Sequence, residues 1–238
     1  MMLPAPYVWM TVLSLLVIAV LFVLQRWPKP AVVVGHISWL ALSLYFLIEY
    51  LVIRATTLPY DPLHQPMSDL GVTGCGESLY ELSGHAICSP LHLTMNWTFT
   101  IAGLATIAGA LSLRFWLPPG RKTRAATILW IIHGLSSVAA GVVPADLDFW
   151  LHTLGSIPSM VVQIPALILI ALLVRGSRPA LAVWTWTAAA VTTAALLLLF
   201  VQAGPLNVPG GLLQRILYGS VYVWMSVTAI AVWRGPRS

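Results

Sequence analysis

The chain has 238 residues, 59% of them hydrophobic and only 8% charged, with a formal charge of +5. An apolar share well above the roughly 45–50% of a soluble domain excludes a water-soluble globular fold. The positive balance sits in the connections between apolar blocks, where it marks membrane topology and gives no reason to invoke nucleic acid.

Apolar blocks near residues 8–25, 31–53, 91–113, 125–143, 150–174, 181–203 and 212–233 predict seven transmembrane helices, most close to the roughly 20 residues that cross the hydrocarbon core. The fold class is therefore all-α, a polytopic membrane helix bundle. No Gly/Ser or Pro-rich linker separates the helices, so residues 1–238 are read as one domain. For the first and shortest block the competing assignment is a secretory signal peptide. Against it, "MMLPAPY" has no basic leader, no small-residue cleavage site follows, and the charge of "QRWPKP" comes after the apolar run.

With seven spans, Arg26, Lys29, Arg114, Arg121, Lys122, Arg124, Arg175, Arg178, Arg234 and Arg237 fall on one side, which the positive-inside rule makes cytoplasmic. All seven acidic residues, Glu49, Asp61, Asp69, Glu77, Glu81, Asp146 and Asp148, lie at or beyond the opposite helix ends. This predicts a cell (inner) membrane protein with its amino terminus outside and its carboxyl terminus in the cytoplasm. The eleven tryptophans mostly suit an aromatic belt at the interfaces.

After the second span comes a long outer segment, residues 54–90, whose prolines, glycines and "SDLG" turn chemistry predict order. Ser68 and Asp69 are candidates either for catalysis or for capping a short turn. The only cysteines, Cys75 and Cys88, read as a disulfide in an oxidising compartment. Zinc on these cysteines with His64 and His85 is the weaker alternative, since no CxxC is present, and no metal site is assigned.

The third span opens with His92 and Asn96, the fourth holds a lone His133, and Gly103, Gly109 and Gly141 permit close helix packing. Between the fourth and fifth spans, "GVVPADLDFWLHTLGS" sets Asp146, Asp148 and His152 at the outer boundary, where one aspartate also suits a helix cap. Asp148 and His152, four apart, share a helix face. Gln214 and Arg215 open the last span, and Glu49 lies near the outer end of the second. An arginine at that depth needs a partner such as Glu49 or Asp69.

Taken together, "YDPLHQPMSDLG", "LHLTMNWTFTIAGL", "GVVPADLDFWLHTLGS" and "GLLQRI" resemble the prokaryotic membrane-protein family catalogued as domain of unknown function 998, over roughly residues 35–233. The resemblance implies a six-helix core to which the amino-terminal helix is added, and a polar face at one end. It supplies no activity and no cofactor. A more distant likeness is to seven-helix membrane hydrolases of the alkaline ceramidase and adiponectin receptor type, but the HxxxH expected in the last helix is missing.

The residues themselves support an enzyme acting on a lipid or prenyl substrate at the outer leaflet. In that reading Ser68, Asp69, Asp146, Asp148 and His152 are the catalytic candidates, and Asn96, Gln214, Arg215 and Glu49 bind the substrate. The alternative is a non-catalytic membrane protein that binds a lipid, partner or small molecule through the same face. A transporter ranks third, because only His133 places an ionisable group near the midplane.

Overall fold

The computed structural model describes residues 3–201 and 209–234. Seven of its helical stretches are long and apolar enough to cross a membrane, which makes the chain an integral membrane protein in contact with lipid. They are α1 (Ala5–Leu24), α2 (Pro28–Ala41) with α3 (Leu44–Arg54) as one span, α4 (His92–Ser112), α5 (Arg121–Val142), α6 (Phe149–Val174), α7 (Pro179–Val201) and α8 (Gly210–Arg234). The span expected over 181–203 ends at Val201, and its last two residues, like Arg237, lie outside the described residues.

The second span is broken where the sequence reading had one helix. At Leu42 and Ser43 the amide of Leu42 turns to Trp39 and the Ser43 hydroxyl donates to the Leu40 carbonyl at 2.9 Å. A serine hydroxyl competing for a backbone acceptor in this way bends a helix.

From α2 onward the spans close into a ring: α2 packs on α4, α4 on α5, α5 on α6, α6 on α7, α7 on α8, and α8 returns to α2. Helix α1 stands outside it, against α4 and α5. It buries Tyr7 and Met10 against Val138, Val142 and Val143, and Leu21 against Ile107 and Leu111. Large aromatics fill the middle of the ring. Trp130 stacks on Trp224 at 5.5 Å, and Trp39 tilts against Trp224 at 5.5 Å, so these three tryptophans belong to the core and not to an interfacial belt.

Glycines let α4 and α5 approach closely. A Cβ on Gly103 would lie 2.4 Å from the Gly134 carbonyl oxygen, and one on Gly134 would lie 2.5 Å from that of Gly103. Gly103→Ala is therefore expected to destabilise the bundle by about 1–3 kcal/mol, the range for an overpacked interior. A thermal melt of the detergent-solubilised protein reads this directly. Gly176→Ala, where an added Cβ has open space around it, should melt with the wild type.

Helix α6 carries Pro158 and Pro165 inside its length. One turn is repaired from the neighbouring helix: the Ser136 hydroxyl of α5 donates to Gly155 O and accepts from the Ser159 amide, standing where a helical backbone bond would be. Polar backbone at membrane depth is tolerated when a neighbour satisfies it in this way.

The two ends of the bundle differ in charge. At one end Arg114 donates to the Gln25 carbonyl and the Arg178 guanidinium lies 6.0 Å from the Trp116 ring, which brings the basic connections together. Residues 54–90 cover the other end. This segment contains a 3-10 turn, Met67–Gly71, and an antiparallel hairpin of β1 (Cys75–Glu77) and β2 (Ala86–Cys88), in which Cys75 faces Cys88 and is disulfide-bonded to it.

Candidate functional site

The segment after α3 first folds on itself. Asp61 accepts from the Leu63 amide at 2.9 Å and pairs with His64 at 2.6 Å. These contacts hold its exposed carboxyl below the ordinary range, the His64 hydrogen bond being the larger cause. Residues 60–74 then lie across the ring mouth as a lid, tied down from several helices.

Arg215 of α8 makes most of the ties. Its Nη1 donates to Pro62 O at 2.7 Å and Gln65 O at 3.1 Å, and its Nη2 donates to the Tyr60 hydroxyl at 2.6 Å. Its Nε lies 3.0 Å from Glu49 Oε1, an ion pair without a well-aligned hydrogen bond. Next to it, Gln214 Oε1 accepts the Met67 amide at 2.8 Å. From α4, Asn96 donates to Gly71 O at 2.8 Å and to the Tyr7 hydroxyl at 3.1 Å. Gly71 is required there because a Cβ would lie 2.3 Å from Asn96 Oδ1. Asp146 accepts the Thr73 amide at 2.9 Å, the Thr73 hydroxyl at 2.6 Å and the Gly74 amide at 3.2 Å through one oxygen.

The other two aspartates differ from it. Asp148 caps α6, accepting the Leu151 amide at 2.9 Å, as a carboxylate at a helix amino terminus does. Asp69 is buried completely within the lid. It accepts from the Tyr80 hydroxyl, and its other oxygen faces His85 Nε2 at 2.6 Å. Burial raises the Asp69 carboxyl above its ordinary value against the lowering effect of those two bonds, and burial with the Asp69 charge pushes the Tyr80 hydroxyl up. The Tyr80 ring stacks on Phe149 of α6 at 5.6 Å. The disulfide-closed hairpin thus links the lid to the start of α6.

Beneath the lid is a cavity of about 50 Å³. Ser68 of the lid lines it from above, His152 and Ser156 from α6, Ser137 and Ala140 from α5, and Gln214, Tyr218 and Tyr222 from α8. His152 Nδ1 meets the Val143 carbonyl at 2.6 Å. A carbonyl only accepts, so Nδ1 carries the proton and Nε2 keeps its lone pair. At the floor the Ser159 and Tyr218 hydroxyls bond at 2.8 Å, and His133 donates to Ser159 O at 3.0 Å from below.

The sequence model of a family described as "Protein of unknown function (DUF998)" matches residues 39–231. The chain belongs to this family. No curated protein and no solved structure matches the chain. The family span runs from within α2 to within α8 and takes in the lid, the cavity and every tie except Tyr7, which α1 supplies. The resemblance argued from four short motifs thus has a physical counterpart: the "N" of α4 and the "QR" of α8 hold the "YDPLHQPMSDLG" segment, and the "PAD" before α6 holds Thr73 and Gly74 just after it.

Of the nine candidate residues, Asp69, Asp146, Asn96, Gln214, Arg215 and Glu49 build or anchor the lid, directly or through Arg215. Asp148 stands apart as a cap. Ser68 and His152 share the cavity, which Gln214 also lines. Among the described residues no three His, Cys, Asp or Glu side chains gather where a metal could be held. Sequence reasoning missed Tyr7, Tyr60 and Tyr80 as partners, and the serine and tyrosine lining of the cavity. It weighed His85 only against zinc. No spacing rule pairs Asp69 with residues 11 and 16 positions away in an irregular loop.

Asn96 offers a test of the ties. Asn96→Ala leaves the Gly71 carbonyl and the Tyr7 hydroxyl without their donor, and is expected to cost about 1–3 kcal/mol. Hydrogen exchange should report it as faster exchange of lid amides, with the mid-span amides of α5 unchanged.

Proposed function

We propose that the chain is an enzyme acting on a lipid or prenyl substrate at the outer leaflet of the cell (inner) membrane, with the lid end outside and the basic end in the cytoplasm. The basic connections gathered at one end support this orientation. One observation carries the enzymatic reading: Ser68 and His152 line the same cavity, and the proton held on His152 Nδ1 leaves Nε2 as the basic nitrogen. His152 takes a proton from the Ser68 hydroxyl, from water or from a substrate hydroxyl, and returns it to the leaving group. Asp69, Asp146, Asn96, Gln214, Arg215 and Glu49 act as positioning residues that hold Ser68 over the cavity. Opening the lid admits the substrate.

A second reading, a non-catalytic lipid-binding protein, draws on a different feature. An apolar groove of about 420 Å³ runs between α3, α7 and α8, past Phe46, Ala188, Val191 and Ile216, with Arg215 at its edge. A chain held there needs no chemistry at the cavity.

The test is a lipid and envelope-metabolite profile of cells lacking the protein, complemented with wild type, Ser68→Ala or His152→Ala at matched membrane abundance. The enzymatic reading expects one species to accumulate in the null strain and in both variants, and to be cleared by wild type. Clearance by both variants as complete as by wild type removes the enzymatic reading and leaves the groove.

A further inference from the structure

We infer that the group the cavity receives is uncharged, the hydroxyl or ester end of a neutral lipid such as an acylglycerol or a long-chain alcohol, and not a phosphorylated headgroup. This rests on the reading of the Ser68 and His152 cavity as the reacting site. Its polar lining is made of hydroxyls, one amide and one imidazole; among the described residues no lysine, arginine, aspartate or glutamate lines it. A phosphate brought into it would lose its hydration and meet no counter-cation, which is the costly way to bury a charge.

The cation next to the lining residue Gln214 in the chain is turned elsewhere. Arg215 lies on α8 beside Gln214, yet its guanidinium is directed to Pro62 O, Gln65 O and the Tyr60 hydroxyl, and its charge is paired with Glu49. It lines the groove on the lipid side of α8 and is absent from the cavity lining. Freeing it for a phosphate would take one donor from each of the two lid carbonyls and leave Glu49 alone.

The polar atoms present favour a hydroxyl. Seryl and tyrosyl hydroxyls can each donate or accept, and His152 Nε2 offers a lone pair that a substrate O–H fills. A fully ionised phosphate has no proton for that nitrogen and would set its oxygens against the lone pair. Size points the same way: at about 50 Å³ the cavity has room for a few waters or one small hydroxyl-bearing group.

The experiment uses the full chain in phosphatidylcholine nanodiscs, with dioleoylglycerol and dioleoylphosphatidate as probes that share their acyl chains and differ in the phosphate. Native mass spectrometry counts bound probe on wild type, on Ala140→Leu, which fills the cavity from α5, and on Ser156→Leu, which fills it from α6. Dioleoylglycerol is expected to be retained at least about tenfold better than dioleoylphosphatidate. Either filling variant should remove that retention while leaving the weak phosphatidate signal unchanged. If phosphatidate is the better ligand and the filling variants release it, the neutral-group inference is overturned and the cavity stands as the site. If neither probe responds to either filling variant in folded protein, the cavity reading fails, and the inference fails with it.

Discussion

Arg215→Ala is expected to lower the stability of the protein by about 3–5 kcal/mol, the range for removing one partner of a buried ion pair. The substitution leaves Glu49 as a lone carboxylate on the wall of a membrane span, and takes the donor from Pro62 O, Gln65 O and the Tyr60 hydroxyl together. Arg215→Lys should recover little of this, because one ammonium cannot reach Glu49, two carbonyls and a phenol from the plane that a guanidinium spans. Glu49→Gln should cost less than Arg215→Ala, since the lid contacts of Arg215 survive it. The check is the thermal midpoint and the monodisperse yield of each variant in detergent. For a chain of this size the Arg215→Ala loss corresponds to a fall of roughly 6–20 °C. A midpoint equal to that of the wild type would show that Arg215 does not hold the lid.

The ordering of these variants follows from where the arginine sits in the chain of cause. Hydrophobic blocks place α8 in the membrane, and the need to pair an ionisable side chain there forces Arg215 toward Glu49. Its remaining donors then capture the backbone of residues 60–65. One constraint imposed by the bilayer thereby fixes the register of a loop outside it.

Much of the fold was legible because membrane spans obey a rule of composition and length. The seven blocks follow from hydropathy, and the basic connections between them from charge. The break at Leu42 and Ser43 was not, since a single hydroxyl competing for Leu40 O has no compositional mark. Of the candidate site, the charged and amide side chains that tie the lid stood out in the sequence, while its tyrosines, its serine lining and its pairings did not. Arg215 called for an acidic partner, and Glu49 and Asp69 were both eligible; only the side-chain contact of α8 with α3, where Tyr222 also meets Tyr45, selects Glu49. Asp146 and Asp148, two positions apart, look alike in sequence, yet a turn before α6 sends one to Thr73 and the other to its own helix cap. Tyr7 could not be foreseen, because its partner Asn96 is 89 positions away.

Three carboxylates that the sequence could not rank should separate clearly by mutation. Asp148→Ala removes a helix cap and is expected to cost about 1 kcal/mol. Asp146→Ala frees Thr73 and Gly74 near the lid surface, where water can replace part of what is lost, and should cost about 1–3 kcal/mol. Asp69→Ala should exceed both, at roughly 2–4 kcal/mol, held below the full buried-pair range because its partner His85 is 34% exposed while Asp69 is 0% exposed. The reason is position: Asp69 is the contact through which Tyr80 and His85 fasten the hairpin to the lid, and a pair of three-residue strands has little stability of its own. With Asp69 gone the disulfide still closes the hairpin, so its covalent loop persists while its docking is lost. Limited proteolysis should then cut near the hairpin tip at Leu82, which is 91% exposed, faster in Asp69→Ala than in Asp148→Ala. Equal cutting rates in the two variants would mean that the hairpin is held without Asp69, by the stacking of Tyr80 on Phe149 and the bonds from Thr57 N to Cys88 O and from the Ser89 hydroxyl to Leu70 O.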